Sequence, residues 1–214
     1  MIRVNTRPNG HKLIAAVNAL LVPLAPAFAH VPFFEKTDLT ATAPFVISDV
    51  EQSKAVYAYL ESEDDRDTYL LLVREAVQLY VKISIPYCRS YQDFRPSFAV
   101  TGPGLPPPAE PLPFELPDGH GAIVKHDKPD GASRPSMFEF FSDQFYYEGP
   151  VLDIDTDEKG DYRLVYWHPE GRVGDYVAIV GRRDDFSPED WERSVTNTRE
   201  IRKRNYIHGP CEEP

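Results

Sequence analysis

The chain has 214 residues, of which 23 are Lys or Arg and 34 are Asp or Glu, giving a net charge of −11. An acidic surface of this kind repels nucleic acid and anionic lipid, so DNA and RNA drop out of the expected partners. The length suits one domain with appendages, and 42% apolar residues suffice for a packed core.

The first 29 residues carry Arg3, Arg7 and Lys12 and no acid, then an apolar run from Leu13 to Leu24, then Ala27-Phe28-Ala29. That order is a secretory signal peptide with a small-x-small cleavage site, and it predicts cleavage between Ala29 and His30. The run is interrupted by Asn18 and Pro23 and is shorter than the roughly 20 apolar residues a bilayer span needs. The expectation is therefore an exported protein, periplasmic or extracellular, with no transmembrane segment in the mature chain. Loss of the leader removes three basic residues and leaves a net charge of about −14. Cys88 and Cys211 are the only cysteines, an even count that permits one disulfide in an oxidising compartment.

Residues 30–43 read as an extended arm, and residues 44–186 as one β-sandwich domain. In "AVQLYVKISIP", Val77, Leu79, Val81, Ile83 and Ile85 share one face, and Gln78, Tyr80, Lys82 and Ser84 share the other. That two-residue period marks a half-buried strand. "SKAVYAYLE" and "RDTYLLLV" precede it and "RPSFAVTGPG" follows, with polar turns between. Short strands at this spacing, with almost no helical periodicity, predict an antiparallel sandwich.

Residues 102–121 carry seven prolines between Pro103 and Pro117. Proline fixes φ and lacks a donor, so the stretch is expected to run as a stiff surface excursion joining two halves of the sheet. Strands resume at "AIVKH", "MFEFF", "QFYYEGPVLDI", "DYRLVYW" and "DYVAIVG". The last two both begin Gly-Asp-Tyr, with residues 168–172 as a turn between them, and read as a hairpin. Asp157-x-x-Gly160-x-Tyr162 matches a tyrosine corner, a stabilising tie between a strand and its preceding loop.

In residues 187–214, Ser187 caps, Pro188 starts and Glu189 and Asp190 fill the first turn of a helix expected over about 188–204. Trp191, Val195, Thr198 and Ile201 follow at helical spacing, with Trp191 expected to lay the helix on the sandwich. Arg199, Arg202, Lys203 and Arg204 complement the dipole at its end.

The segments "SKAVYAYLESEDDRDTYLLLV", "VQLYVKISIP", "RPSFAVTGPG" and "GDYRLVYWHPEGRVGDYVAIVG" resemble the pre-peptidase C-terminal type of β-sandwich. More closely, the chain resembles exported prokaryotic proteins that begin Ala-His near the cleavage site and carry Tyr-Tyr/Trp-x-Gly-Pro before the last hairpin, here Tyr146-Tyr147-Glu148-Gly149-Pro150. The resemblance covers residues 30–186 and implies an all-β, jelly-roll-like single domain used as a non-catalytic accessory module. The chain departs from that pattern in its long proline-rich excursion and in having no peptidase domain before the module. The resemblance carries over no catalytic residue.

Several residues invite chemistry. The acidic run Asp153-x-Asp155-x-Asp157 invites calcium, although the EF-hand's sixth and twelfth positions hold Glu158 and Leu164 instead of glycine and glutamate. A solvated acidic turn is the other reading. His30, as a first residue, can chelate copper through its amine and ring nitrogen. A second imidazole would come from His120, His126, His168 or His208; otherwise His30 stays in water on a flexible arm that packs through Val31, Phe33 and Phe34. The motifs for a hydrolytic serine, zinc or phosphate site are missing. Phe141, Tyr146 and Tyr147, in an aromatic cluster with Phe138, Phe140 and Phe145, are candidates for a surface that stacks on sugars or a protein. The expected function is accordingly an exported binding or structural module, not an enzyme, acting through protein or glycan contacts. A copper or calcium protein is the alternative.

Overall fold

A computed structural model describes residues 30–214. The signal peptide expected over residues 1–29 lies outside the described residues. The described chain is mostly β, with eleven strands in two sheets and one carboxy-terminal helix, an arrangement like a sandwich.

The six-stranded sheet runs in the order β1 (Val31–Phe34), β3 (Lys54–Leu60), β11 (Gly174–Val180), β5 (Val77–Pro86), β9 (Gln144–Thr156) and β8 (Ser136–Glu139). The five-stranded sheet runs β2 (Phe45–Ile47), β4 (Asp67–Val73), β10 (Gly160–Trp167), β6 (Ser97–Gly102) and β7 (Gly121–Lys125). The two-residue period decides which side chains meet between them. Leu79, Val81, Ile83 and Ile85 of β5 face inward with Val56, Leu60, Tyr176 and Val180, against Tyr69, Leu71, Phe98, Val100, Leu164 and Tyr166 of the other sheet. Each fully buried aliphatic side chain contributes about 1.5–3 kcal/mol of transfer free energy.

The bulge in β9, where Gly149 and Pro150 stand opposite Ile83 alone, has a local cause. Register with β5 shifts between Lys82 and Ser84, beside Gly149. A Cβ on Gly149 would stand 2.4 Å from Ile83 Cγ2, so the two backbones approach only because that position is bare.

The outer face of the six-stranded sheet carries a second apolar cluster of Ala55, Tyr57, Tyr146, Val177 and Ile179, covered by Ile201 and Tyr206. Ile201 belongs to helix α1 (Pro188–Arg202). The capping signal holds: Asp190 N–H donates to Ser187 Oγ at 3.1 Å, and Ser187 N–H donates to Asp190 Oδ2 at 3.0 Å. The disulfide Cys88–Cys211 spans 123 residues and fastens the tail that follows the helix.

Four expectations need correction. The arm at residues 30–43 begins as strand β1, parallel to β3, because Val31 and Pro32 are buried and their backbone finds partners there. The proline-rich excursion does not join two halves of the sheet; it links β6 to β7, antiparallel neighbours in one sheet. The two Gly-Asp-Tyr strands are not a hairpin: β10 lies in one sheet and β11 in the other, so residues 168–173 cross between layers. Trp191 does not anchor the helix. It is 56% exposed and meets Phe186 edge-on, while Ser194 and Ile201 carry the buried face.

The tyrosine corner is formed. The Tyr162 hydroxyl lies 2.8 Å from the carbonyl oxygens of both Glu158 and Pro103, which share its one proton. No described helix is long and apolar enough to cross a membrane.

Candidate functional site

The sheets differ by one strand, and the difference creates a surface. At the end of the five-stranded sheet β7 contacts β9, and β8, the next strand out, is the terminal strand of its sheet. Inward-facing rings on this hairpin therefore overhang the sandwich. Phe138 pairs with Phe145 across β8 and β9, with ring centroids 5.1 Å apart. The two rings are 45% and 46% exposed, and Phe140, just past β8, is 73% exposed. Phe145 rests on Tyr87 at 5.9 Å, so the overhang is braced from below.

The opposite face of the same hairpin borders a cleft of about 210 Å³ lined by His30, Tyr57, Lys82, Met137, Glu139 and Tyr146, among others. Its polar groups are held in place. Lys82 Nζ donates to Glu148 Oε1 at 3.0 Å and to Met137 Sδ at 3.2 Å. The Tyr146 and Tyr206 hydroxyls lie 3.1 Å apart. His30 Nδ1 is 2.6 Å from Ser53 Oγ, and burial holds its pKa below the usual histidine value, against the opposing pull of Glu139 and Asp184. The strand edge and the cleft together offer apolar rings, one ammonium group and one unpaired strand flank. That combination suits recognition of an extended chain.

Of the three residues expected to form a stacking surface, the structure removes two. Tyr146 and Tyr147 are buried, because neighbours on a strand point to opposite faces and both faces are covered here. Tyr147 enters the sandwich core and Tyr146 lies under the segment after α1. Phe141 is half-buried, and its carbonyl accepts from Arg202 Nε at 3.0 Å. The exposed rings are Phe138, Phe140 and Phe145.

The histidines are separately engaged. His126 lies between Ser97 Oγ at 2.8 Å and Glu110 Oε1 at 2.5 Å. His168 is buried, stacks on Phe94, and faces the backbone N–H of Arg95 and of Glu170. Burial pushes its pKa down to about 4. His208 Nδ1 is 2.7 Å from Asp175 Oδ1, and His208 N–H and the Tyr91 hydroxyl donate to Asp175 Oδ2 at 2.9 and 2.5 Å. Asp175 thus latches the tail beside the disulfide. The buried Nδ1 of His120 has no partner among the described residues.

The acidic run is not gathered around a point. Asp153 and Asp155 alternate along β9 opposite Tyr80 and Gln78, Asp157 lies beyond the strand, and Asp153 pairs with Arg182 at 2.7 Å. Among the described residues, the one set of three or more His, Cys, Asp or Glu whose ligand atoms converge is Glu35, Asp38 and Asp67. Sequence reasoning missed it because Glu35, just past β1, and Asp67, the first residue of β4, stand 32 positions apart. Burial pushes Glu35 up to about 7, and burial together with the charge of Glu35 pushes Asp67 up to about 9.

No protein-family model matches the chain. No curated protein matches it either.

Proposed function

We propose that this chain is an exported, non-catalytic binding module of jelly-roll-like type, which takes up an extended segment of a protein partner along the edge of β8. The observation that carries this reading is the set of exposed rings of Phe138 on the terminal strand β8, Phe140 just past it and Phe145 across from it on β9. An exposed apolar edge is an aggregation hazard that proteins ordinarily blunt with charge or proline, so its persistence argues for use. Main-chain hydrogen bonds to β8 supply affinity, and alternate side chains of the guest settle on the overhanging rings. Panning a displayed library of unstructured peptides on the disulfide-bonded protein tests it. Enriched peptides should alternate apolar residues and bind the Phe138→Asp, Phe145→Asp double variant at least tenfold more weakly. Retention on polysaccharide with no peptide selected would make the partner a glycan instead.

A second reading keeps copper at His30, and what favours it is that the Met137 thioether lines the same cleft. It requires cleavage before His30. Stoichiometric copper in the processed protein, lost on His30→Ala, supports it; copper that is absent or survives the substitution contradicts it.

A further inference from the structure

Glu35 follows β1, Asp38 sits three residues on, and Asp67 opens β4 in the other sheet. The ligand oxygens of all three lie within 4.8 Å of one another. Two of the carboxylates are held in the same manner, each through one oxygen. The Tyr176 hydroxyl donates to Asp67 Oδ2 at 2.7 Å, and Tyr59 N–H donates to Glu35 Oε2 at 2.8 Å. The other oxygen of each, Asp67 Oδ1 and Glu35 Oε1, is buried and has no hydrogen-bond partner among the described residues.

Asp67 is itself fully buried. A buried carboxylate oxygen without a donor is costly, and three carboxyl groups with oxygens within 4.8 Å of one another add mutual repulsion wherever they are ionised. The nearby guanidinium does not answer it: Arg66 Nη1 donates to the carbonyl of Asp65. Asp38 is exposed and closes the group from the solvent side.

We propose that Glu35, Asp38 and Asp67 bind one divalent cation, calcium by preference, which clamps the first strand and its following loop to β4. The donor set is all oxygen, which selects a hard cation. Two oxygens on one calcium ion can stand up to roughly 4.6–5.2 Å apart, whereas on magnesium the limit is about 4.2 Å. The observed spread therefore accommodates calcium without rearrangement. Clefts open beside both Glu35 and Asp38, which lets water complete the coordination. The clamp would reinforce a link already begun by the backbone, where Thr68 N–H donates to the Leu39 carbonyl at 2.5 Å.

Calcium chloride titrated into chelator-treated, disulfide-bonded protein tests the site by calorimetry and thermal unfolding. One ion should bind per chain, and the melting temperature should rise by about 5–10 °C at one hundred times the dissociation constant. Asp38→Asn, an exposed change that leaves folding intact, should weaken binding at least tenfold, and Glu35→Gln should do the same. Asp153→Asn, in the other acidic run, should leave binding unchanged. The proposal is overturned if calcium at about 10 mM, above the range typical of extracellular modules, neither binds nor stabilises. It is equally overturned if Asp38→Asn and Glu35→Gln bind as the native chain does, if Asp153→Asn abolishes binding, or if magnesium binds as tightly.

Discussion

Phe138 and Phe145 face each other across β8 and β9, 5.1 Å between ring centroids, and each leaves nearly half its surface in solvent. One residue further along β9, Tyr146 is buried on the other side of the sheet. The contrast follows from the layers: the outer face is covered by the helix and the segment after it, and the inner face is left bare where the five-stranded sheet stops short.

The disulfide should dominate the stability of the tail. Cys88 and Cys211 close a loop of 123 residues, worth about 4–5 kcal/mol on the chain-entropy account. Reduction, or the double change Cys88→Ala and Cys211→Ala, should lower the urea midpoint by a corresponding amount. It should also expose residues beyond 205 to protease, since Arg89 N–H to the Glu212 carbonyl and Ser90 Oγ to the Pro210 carbonyl are among the few other ties. A reduced protein with an unchanged midpoint would contradict this.

Tyr162→Phe removes a hydroxyl that serves two carbonyl oxygens, Glu158 and Pro103. Loss of this tie should cost about 1–2 kcal/mol in chemical unfolding. Gly102→Ala should cost more, because a Cβ there would lie 2.1 Å from the Tyr162 ring. If Gly102→Ala proves milder than Tyr162→Phe, the corner is not packed as described.

Much of this was legible in the residues, and the misses share a cause. The inward face of β5 follows from the period of two, the segment read from Gln144 starts where β9 does but stops two residues short of its end, and the start of α1 follows from Ser187 and Pro188. Periodicity reports that a strand has an inside and not which sheet it joins, so β10 and β11 read as a hairpin although they belong to different layers. It is also blind to a strand covered on both faces, which is why Tyr146 and Tyr147 read as surface. The convergence of Glu35 with Asp67 depends on how the two sheets stack, which no local pattern encodes.

His168 should make stability fall in mild acid. Its ring is neutral at pH 7 in the fold and mostly neutral in the unfolded chain; in the unfolded chain it protonates near 6.5, and in the fold only near 4. Between those values the unfolded state binds the extra proton, so stability is lost as pH falls through that window, by about 2–3 kcal/mol in all. The geometry agrees, since a neutral ring can accept one of the Arg95 and Glu170 N–H groups and an imidazolium can accept neither. Urea unfolding from pH 7 to 4 should show this loss in the native chain relative to His168→Gln, and parallel profiles would sink the assignment.

The helix should depend on Ile201 and not on Trp191. Ile201→Ala empties a fully buried position and should cost about 2–4 kcal/mol. Trp191→Ala, at an exposed site, should stay within about 0.5 kcal/mol. The reverse order in thermal unfolding would show that the tryptophan packs after all.

The account rests most on recognition at the β8 edge, and backbone NMR of the protein with and without a selected peptide reads that edge directly. The amides of residues 136–139 whose N–H groups point away from β9 should gain protection from exchange on binding, with new intermolecular contacts to Phe138 and Phe145. Tight binding that leaves those amides exchanging as before, with the shifts elsewhere on the sandwich, would contradict it.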